Sequence, residues 1–275
     1  MTCILSMSTP DVLIQVSDRR LTWPDGQMAD DHTNKVTIFD GRMAISYAGL
    51  SKVLREKTDE WLVRILTNPP IRSLADAVYT IQNRATAAFR GWARTPSEKA
   101  RHRLIFGFVG WTRQPGRESL QALVGFVSNC HDDRAALQTE ARDDFRLHRK
   151  ILDPREPHGL LTTGVRLATE ERQRLNERIS TATSLDSLTS AFVQAIREVA
   201  ARDKTVGSDV LAVTIPRAAA EQVEPGSRML LMGPPLTLDS LGSVYFPENR
   251  QDPIQYGPNF IYAGSGVTGF EAGPL

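Results

Sequence analysis

Cysteine is scarce in this chain of 275 residues, which carries only Cys3 and Cys130. Two thiols supply no disulfide framework and no metal-ligand spacing, a usage that points to a reducing cytoplasm and to no metal or other cofactor. An excess of charge is also missing. The 33 basic and 32 acidic side chains leave a net +1, which gives no electrostatic footprint for a nucleic-acid groove. No apolar run approaches the ~20 residues that a membrane span requires. The first residues have no basic stretch, and Pro10-Asp11 cuts their apolar run short, so no signal peptide is expected. Cys130-His131-Asp132-Asp133 has no partners at ligand spacing and reads as a loop rather than a metal site.

Apolar residues make up 41% of the chain, enough to bury a full core as one large domain, or one domain with a tail. The first fifty residues read as extended runs joined by turns. Val12-Leu13-Ile14-Gln15-Val16 leads into the polar cluster Ser17-Asp18-Arg19-Arg20-Leu21-Thr22, and a turn follows around Pro24-Asp25-Gly26. Asn34-Lys35-Val36-Thr37-Ile38-Phe39 then turns at Asp40-Gly41, the strongest short hairpin signal, and returns from Arg42 to Leu50. An acid, a lysine and the start of the chain are thereby expected on neighbouring strands.

Helical periodicity follows. From Ser51 to Asn68 the residues Leu54, Trp61, Leu62, Ile65 and Leu66 fall on one face, up to Pro69-Pro70. Ser73 caps a second helix, whose stripe runs from Leu74 through Ala77, Val78, Ile81, Ala85 and Phe89 to Trp92. Residues 104–111 and 122–127 are almost continuously apolar, with a turn at 114–117 between them. They predict an antiparallel pair buried on both faces. The charged run from Asp143 to Lys150 reads as a solvated face.

A strand at Gly159–Gly164 leads to a helix from Ala168 to Thr181. Another helix starts at Ser184, with Leu185, Leu188, Phe192, Ile196 and Val199 inward, and runs toward the strand Val210–Ile215. Residues 217–275 are rich in Pro and Gly, with apolar patches at Met229–Met232 and Val244-Tyr245-Phe246 and an aromatic stretch from Tyr256 to Tyr262. Such a segment does not fold alone, and it is expected to pack over its own domain or a neighbouring subunit.

The ordered set of residues resembles the proteasome β-type family, N-terminal-threonine peptidases of the N-terminal-nucleophile (Ntn) hydrolase fold. Thr2 and Asp18 lie sixteen residues apart, and Lys35 and Gly49 fourteen, both spacings matching the family. The loop before Lys35 is one residue longer. Far downstream, Ala201-Arg202-Asp203, then Val206-Gly207 and the strand from Val210, are similar to the family's helix, supporting aspartate and following strand. The resemblance covers residues 2–215. It implies an α+β fold, a four-layer αββα sandwich of two antiparallel sheets flanked by helices. Residues 1–216 would form that domain, with an insertion at about 128–158 near the substrate entrance, and residues 217–275 would be an extension.

The resemblance also implies the chemistry. Once Met1 is removed, Thr2 would attack a carbonyl through its Oγ while its own α-amine accepts the proton. Lys35 would bias that amine toward its neutral form, Asp18 would hold Lys35, Asp203 would fix Thr2, and the Gly49 N–H would stabilise the oxyanion. Tyr47 would shorten the primary specificity pocket, Leu21 and Thr37 would line the substrate cleft, and Arg55, one turn into the first helix, would add a positive rim. A homo-oligomeric ring and an ATP-driven unfoldase partner belong to the same implication.

Two positions depart from the family pattern: Val165 and Val206 stand where it commonly has serines that help hold the amine and its relay water. Their loss would slow the chemistry or abolish it. Two other readings stay open, an Ntn amidase acting on small amides and a catalytically inactive structural or binding homologue.

Overall fold

The chain starts with a hairpin, because alternate apolar residues of β1 (Cys3–Ser8) and β2 (Val12–Asp18) need cover on both faces and Thr9 closes the turn with its Oγ1 accepting from the Val12 N–H. The computed structural model describes residues 2–22, 27–31, 33–68, 71, 73–92, 95–114, 116–117, 119–152, 159–222, 244–246, 255–256, 258–262, 265–267 and 271–272. The expectations for Met1, Pro24-Asp25-Gly26, Pro69-Pro70 and the Met229–Met232 patch lie outside these residues.

A short pair, β3 (Leu21–Thr22) and β4 (Met28–Asp30), precedes the second hairpin of β5 (Val36–Phe39) and β6 (Met43–Gly49). Asp40 and Gly41 have φ of 50° and 62°, the positive values that a tight hairpin turn requires. Next come β7 (Lys52–Val53), β8 (Glu56–Lys57), α1 (Thr58–Thr67), α2 (Leu74–Phe89) and α3 (Pro96–Arg101). Then β9 (Leu104–Thr112), β10 (Gln121–Ser128), β11 (Arg146–Ile151) and β12 (Gly159–Gly164) lead to α4 (Thr169–Thr181) and α5 (Leu185–Arg202). After β13 (Val210–Pro216) and α6 (Arg217–Glu221), the extension contributes β14 (Val244–Phe246), β15 (Gln255–Tyr256), β16 (Asn259–Tyr262), β17 (Ser265–Val267) and β18 (Glu271–Ala272).

The two large sheets run in the orders β12-β1-β2-β13-β14 and β11-β10-β9-β6-β5-β16-β17. Three apolar layers glue them into a sandwich. Leu13, Val36, Ile38, Ala44, Val109, Leu211 and Val213 meet between the sheets, where the Trp111 indole also donates to the Ile215 carbonyl at 2.9 Å. Ile45, Trp61, Leu62, Val78, Ile81 and Phe106 pack α1 and α2 on the second sheet. Leu5, Ile14, Val16, Phe192, Ile196 and Val199 pack α5 on the first. The result is the αββα arrangement, helices outside and both sheets inside. No helix among the described residues is long and apolar enough to cross a membrane.

Ser73 and Ser184 cap α2 and α5, accepting from the N–H groups of Asp76 and Ser187. The 104–127 pair is antiparallel, and β9 is buried along both faces. Three expectations need correction. The first helix starts at Thr58, not Ser51, because Leu54 takes φ 57° and lets residues 52–57 fold as the β7–β8 hairpin. The Thr58 hydroxyl then reaches back to the Leu50 carbonyl at 2.8 Å. The run from Asp143 to Lys150 is not simply a solvated face: β11 pairs along β10 and extends the sheet. The second sheet is antiparallel except for β16, which pairs in parallel with β5.

The extension therefore enters the domain itself. β14 adds to β13, while β16 places Ile261, fully buried, in the layer beneath α1. Ile261→Ala leaves a cavity there, so urea denaturation is expected to show a loss of about 2–5 kcal/mol, whereas a tail lying loosely on the surface would show almost none.

Candidate active site

Thr2 immediately precedes β1, Asp18 ends β2, and Lys35 sits one residue before β5. The β1–β2 hairpin thus puts Thr2 and Asp18 at the same end of the first sheet, and Lys35 reaches them from the second. Its ammonium donates to Thr2 Oγ1 at 2.9 Å, to Asp18 Oδ2 at 2.9 Å and to the Arg20 carbonyl at 2.5 Å. Both side chains of the Lys35–Asp18 pair are fully buried, and Thr2 is 4% exposed.

Asp18 is held from several directions. Oδ1 accepts the Cys3 N–H at 2.8 Å, and Oδ2 accepts those of Arg20 at 3.1 Å and Gly207 at 3.2 Å. A carboxylate with this many donors is fixed in place. Burial lowers the Lys35 pKa from its ordinary 10.5, a tendency that Asp18 opposes by charge and hydrogen bond. Cys3, the neighbour of Thr2, is buried, and that burial together with the Asp18 charge pushes its thiol far above the usual range. As a rival nucleophile Cys3 is therefore inert.

Two glycines complete the surroundings. Gly164 has φ 85°, and a Cβ there would overlap the Thr2 carbonyl oxygen, which instead accepts the Val165 N–H at 2.8 Å. Gly49 has φ 115°, and a Cβ there would overlap the Arg103 carbonyl. Only glycine fits either place. The same Cβ at Gly164 would lie 3.3 Å from Ala48 Cβ, so the ends of β6 and β12 abut.

Asp203 caps α5 but turns its carboxylate to its own loop, where Oδ1 accepts the Thr205 N–H at 2.9 Å and the Thr205 hydroxyl at 2.6 Å. Burial pushes the Asp203 carboxyl up, but the Thr205 hydrogen bonds and the Arg202 charge leave it below its ordinary value. Val206 is fully buried in the apolar layer beside Val199 and Phe192, and Val165 packs against that layer.

The substrate-side residues divide. Tyr47 is 2% exposed and packs with Trp61 and Phe106 under the helices; its hydroxyl is buried, and burial raises its pKa. Thr37 is buried in β5, and Leu21 is half-buried in β3. Arg55 is exposed in the β7–β8 hairpin, not in a helix, for the reason given by Leu54. In the 128–158 segment, His131 Nδ1 bonds the Ser128 hydroxyl at 2.8 Å, beside buried Cys130. Burial, with nearby cationic charge, lowers the His131 pKa to about 4.

Sequence reasoning missed the backbone donors to Asp18, which no side-chain pattern announces. It also passed over Asn34, whose Oδ1 accepts the Val36 N–H at 3.2 Å across Lys35. An asparagine just before a strand is a legible signal for such a turn.

No family model matches the chain, and no curated protein matches it by sequence. Among solved structures, Anbu (ancestral beta-subunit) from Yersinia bercovieri is similar with TM-score 0.52 and 11% identity, over 82% of this chain and 85% of that one. Eukaryotic HslV from Trypanosoma brucei aligns with TM-score 0.43 and 13% identity, over 78% of this chain and 99% of that one. The likeness to Anbu is one of fold: the chain shares the α+β sandwich of that structure, two sheets between layers of helices.

Replacing Asp18 by Ala removes the anion that keeps a buried ammonium tolerable. The Asp18→Ala variant is expected to lose about 3–5 kcal/mol in urea denaturation at neutral pH. Lys35 in the folded state binds its proton less readily than in the unfolded chain, so unfolding takes up protons and stability rises with pH in that window. The deficit should therefore shrink as the pH is raised toward 10.5, and a deficit constant up to that pH would contradict the buried-cation account.

Proposed function

We propose that the chain is an N-terminal-threonine hydrolase that cleaves peptide bonds, with Thr2 as nucleophile and its α-amine as base after Met1 is removed. The observation that carries this reading is the buried contact of the Lys35 ammonium with Thr2 Oγ1 and Asp18 together. In the first step Thr2 Oγ bonds to the carbonyl carbon while the hydroxyl proton passes to the α-amine, whose reference pKa is about 7.7–8.0. The amine then gives that proton to the departing nitrogen as the C–N bond breaks, leaving an ester on Thr2. Water, deprotonated by the same amine, cleaves the ester and restores the hydroxyl.

Lys35 stabilises the developing alkoxide and discourages a second positive charge on the amine. Asp18 keeps Lys35 oriented, as the third member of a triad does. The Gly49 N–H serves the oxyanion, its lack of Cβ leaving room for the substrate. By resemblance alone Tyr47 bounds the primary pocket and Leu21, Thr37 and Arg55 lie along the cleft, although Tyr47 and Thr37 are buried in this chain. Asp203 orients the freed amine of Thr2 by resemblance alone, since its carboxylate is held by Thr205. A cytoplasmic location, a homo-oligomeric ring and an ATP-driven unfoldase complete the reading by resemblance alone, as does peptide rather than small-amide specificity.

One observation favours a second reading, an inactive structural homologue. Val206 is sealed in the apolar layer, and the neighbouring Thr205 hydroxyl donates to Asp203 Oδ1, so neither residue supplies the hydroxyl that the family's serine would give a relay water. Two measurements separate the readings. Intact mass should show Met1 absent, and a peptide epoxyketone, which needs both hydroxyl and free amine, should add once per chain. Thr2→Ala and Lys35→Ala should each abolish the adduct, corresponding to a rate loss of at least about 10²–10⁴. Retention of Met1 or an unlabelled wild type favours the inactive reading, and hydrolysis of small amides without peptides favours the amidase.

A further inference from the structure

The residue before Lys35 is tied at both ends of its side-chain amide. Asn34 Oδ1 accepts the Val36 N–H at 3.2 Å, closing an Asx turn around the Lys35 peptide. Its Nδ2 donates to Asn259 Oδ1 at 2.8 Å, a contact between residues 225 positions apart. Asn259 begins β16, the parallel strand, and is itself 1% exposed. Its register partner is Thr37, and the Asp40 N–H closes the far end of the pairing on the Ile261 carbonyl at 2.7 Å. Asp59, in the first turn of α1, lies near enough for the Asn259 amide to favour its charged form, although burial raises its carboxyl overall. Three segments distant in sequence therefore meet on one buried amide.

We propose that Asn259 of the C-terminal extension is a positioning residue for Lys35, acting through the Asn34 side chain to fix the backbone from which the ammonium reaches Thr2 and Asp18. The chemical reason is the cost of leaving a buried amide half-paired. Without Asn259, Asn34 Nδ2 has no buried acceptor there, and its best alternative is to rotate toward water, which opens the Asx turn. Lys35 then loses the constraint on its φ and ψ. Its Nζ has three acceptors to satisfy at once, and a backbone displacement of ~1 Å is enough to break such a set. The extension is thus part of the site, although none of its described side chains is among the partners of Thr2, Asp18 or the Lys35 ammonium.

The proposal concerns the Thr2–Lys35–Asp18 site on which the hydrolase reading rests, but it is tested without activity. The probe is the Lys35 side chain of the full chain, followed by its ¹³Cε and ¹⁵Nζ NMR signals against pH and assigned by their absence in Lys35→Ala. Around the ammonium stand Thr2 and Cys3 at the first strand, Asp18, the Arg20 carbonyl and Asp31. Asn259→Ala should admit water and move the Lys35 midpoint by at least about half a pH unit toward the ordinary lysine value. Asn34→Ser, which keeps an acceptor for the Val36 N–H but cannot reach Asn259, should move it in the same direction. Ile261→Ala, on the same strand, should lower the unfolding midpoint and leave the Lys35 titration where it was.

An unchanged Lys35 midpoint in folded Asn259→Ala, or a shift as large in Ile261→Ala, overturns the proposal. Should Asn259→Ala not fold, Asn34→Ser decides alone: a wild-type midpoint there overturns it. A wild type with no reactive Thr2 defeats the hydrolase reading and leaves this titration intact, because Lys35 binds its proton whether or not Thr2 attacks. Where the wild type does label, Asn259→Ala should slow epoxyketone addition about tenfold or more and shift its pH profile, and Ile261→Ala should do neither.

Discussion

The Asp18 carboxylate gathers four donors from four places: the first strand through Cys3, its own chain through Arg20, the loop after α5 through Gly207, and the second sheet through Lys35. A buried anion so enclosed is tolerable because both of its oxygens accept hydrogen bonds and a cation faces it. It is also a geometric constraint. One end of the first sheet, the loop after α5 and the entry to β5 must all arrive at one point for the charge to be satisfied. The candidate chemistry sits there because the same enclosure that fixes Asp18 also aims Lys35 at Thr2.

Much of that junction was legible. The strand reading of the first fifty residues and the Asp40-Gly41 turn are local patterns, and period and turn chemistry report local patterns faithfully, whereas the grouping of Thr2, Asp18 and Lys35 was suggested only by the family resemblance. The serine caps of α2 and α5 were equally plain. Arg55 was misplaced for a specific reason. Leu54 fell in phase with Trp61 and Leu62 and extended the apparent stripe backward, yet it is 56% exposed and lies at positive φ. Hydrophobic phase cannot distinguish a core residue from one that merely keeps time with the core.

The parallel strand of the extension was beyond any local signal. Asn259-Phe260-Ile261-Tyr262 has strand composition, but its partner is chosen by an open sheet edge more than two hundred residues earlier. The Asp203 carboxylate illustrates the complementary limit. Its position at the end of α5 was readable, while the competition of Thr205 for it depends on the rotamers of a tight loop. Val206 was recognisable as a departure, and its burial beside Val199 explains it in packing terms: the loop closes the apolar layer where a hydroxyl would stand unpaired.

The contact between Asn34 and Asn259 has a consequence for the order of assembly. Closing a loop of 225 positions carries a large entropic cost that only late, cooperative docking repays. On a ribosome the lysine's strand leaves the exit tunnel long before the strand that braces it. The nascent chain can thus carry Thr2 for most of its synthesis before the brace behind Lys35 exists, a built-in delay between making the residue and completing its surroundings.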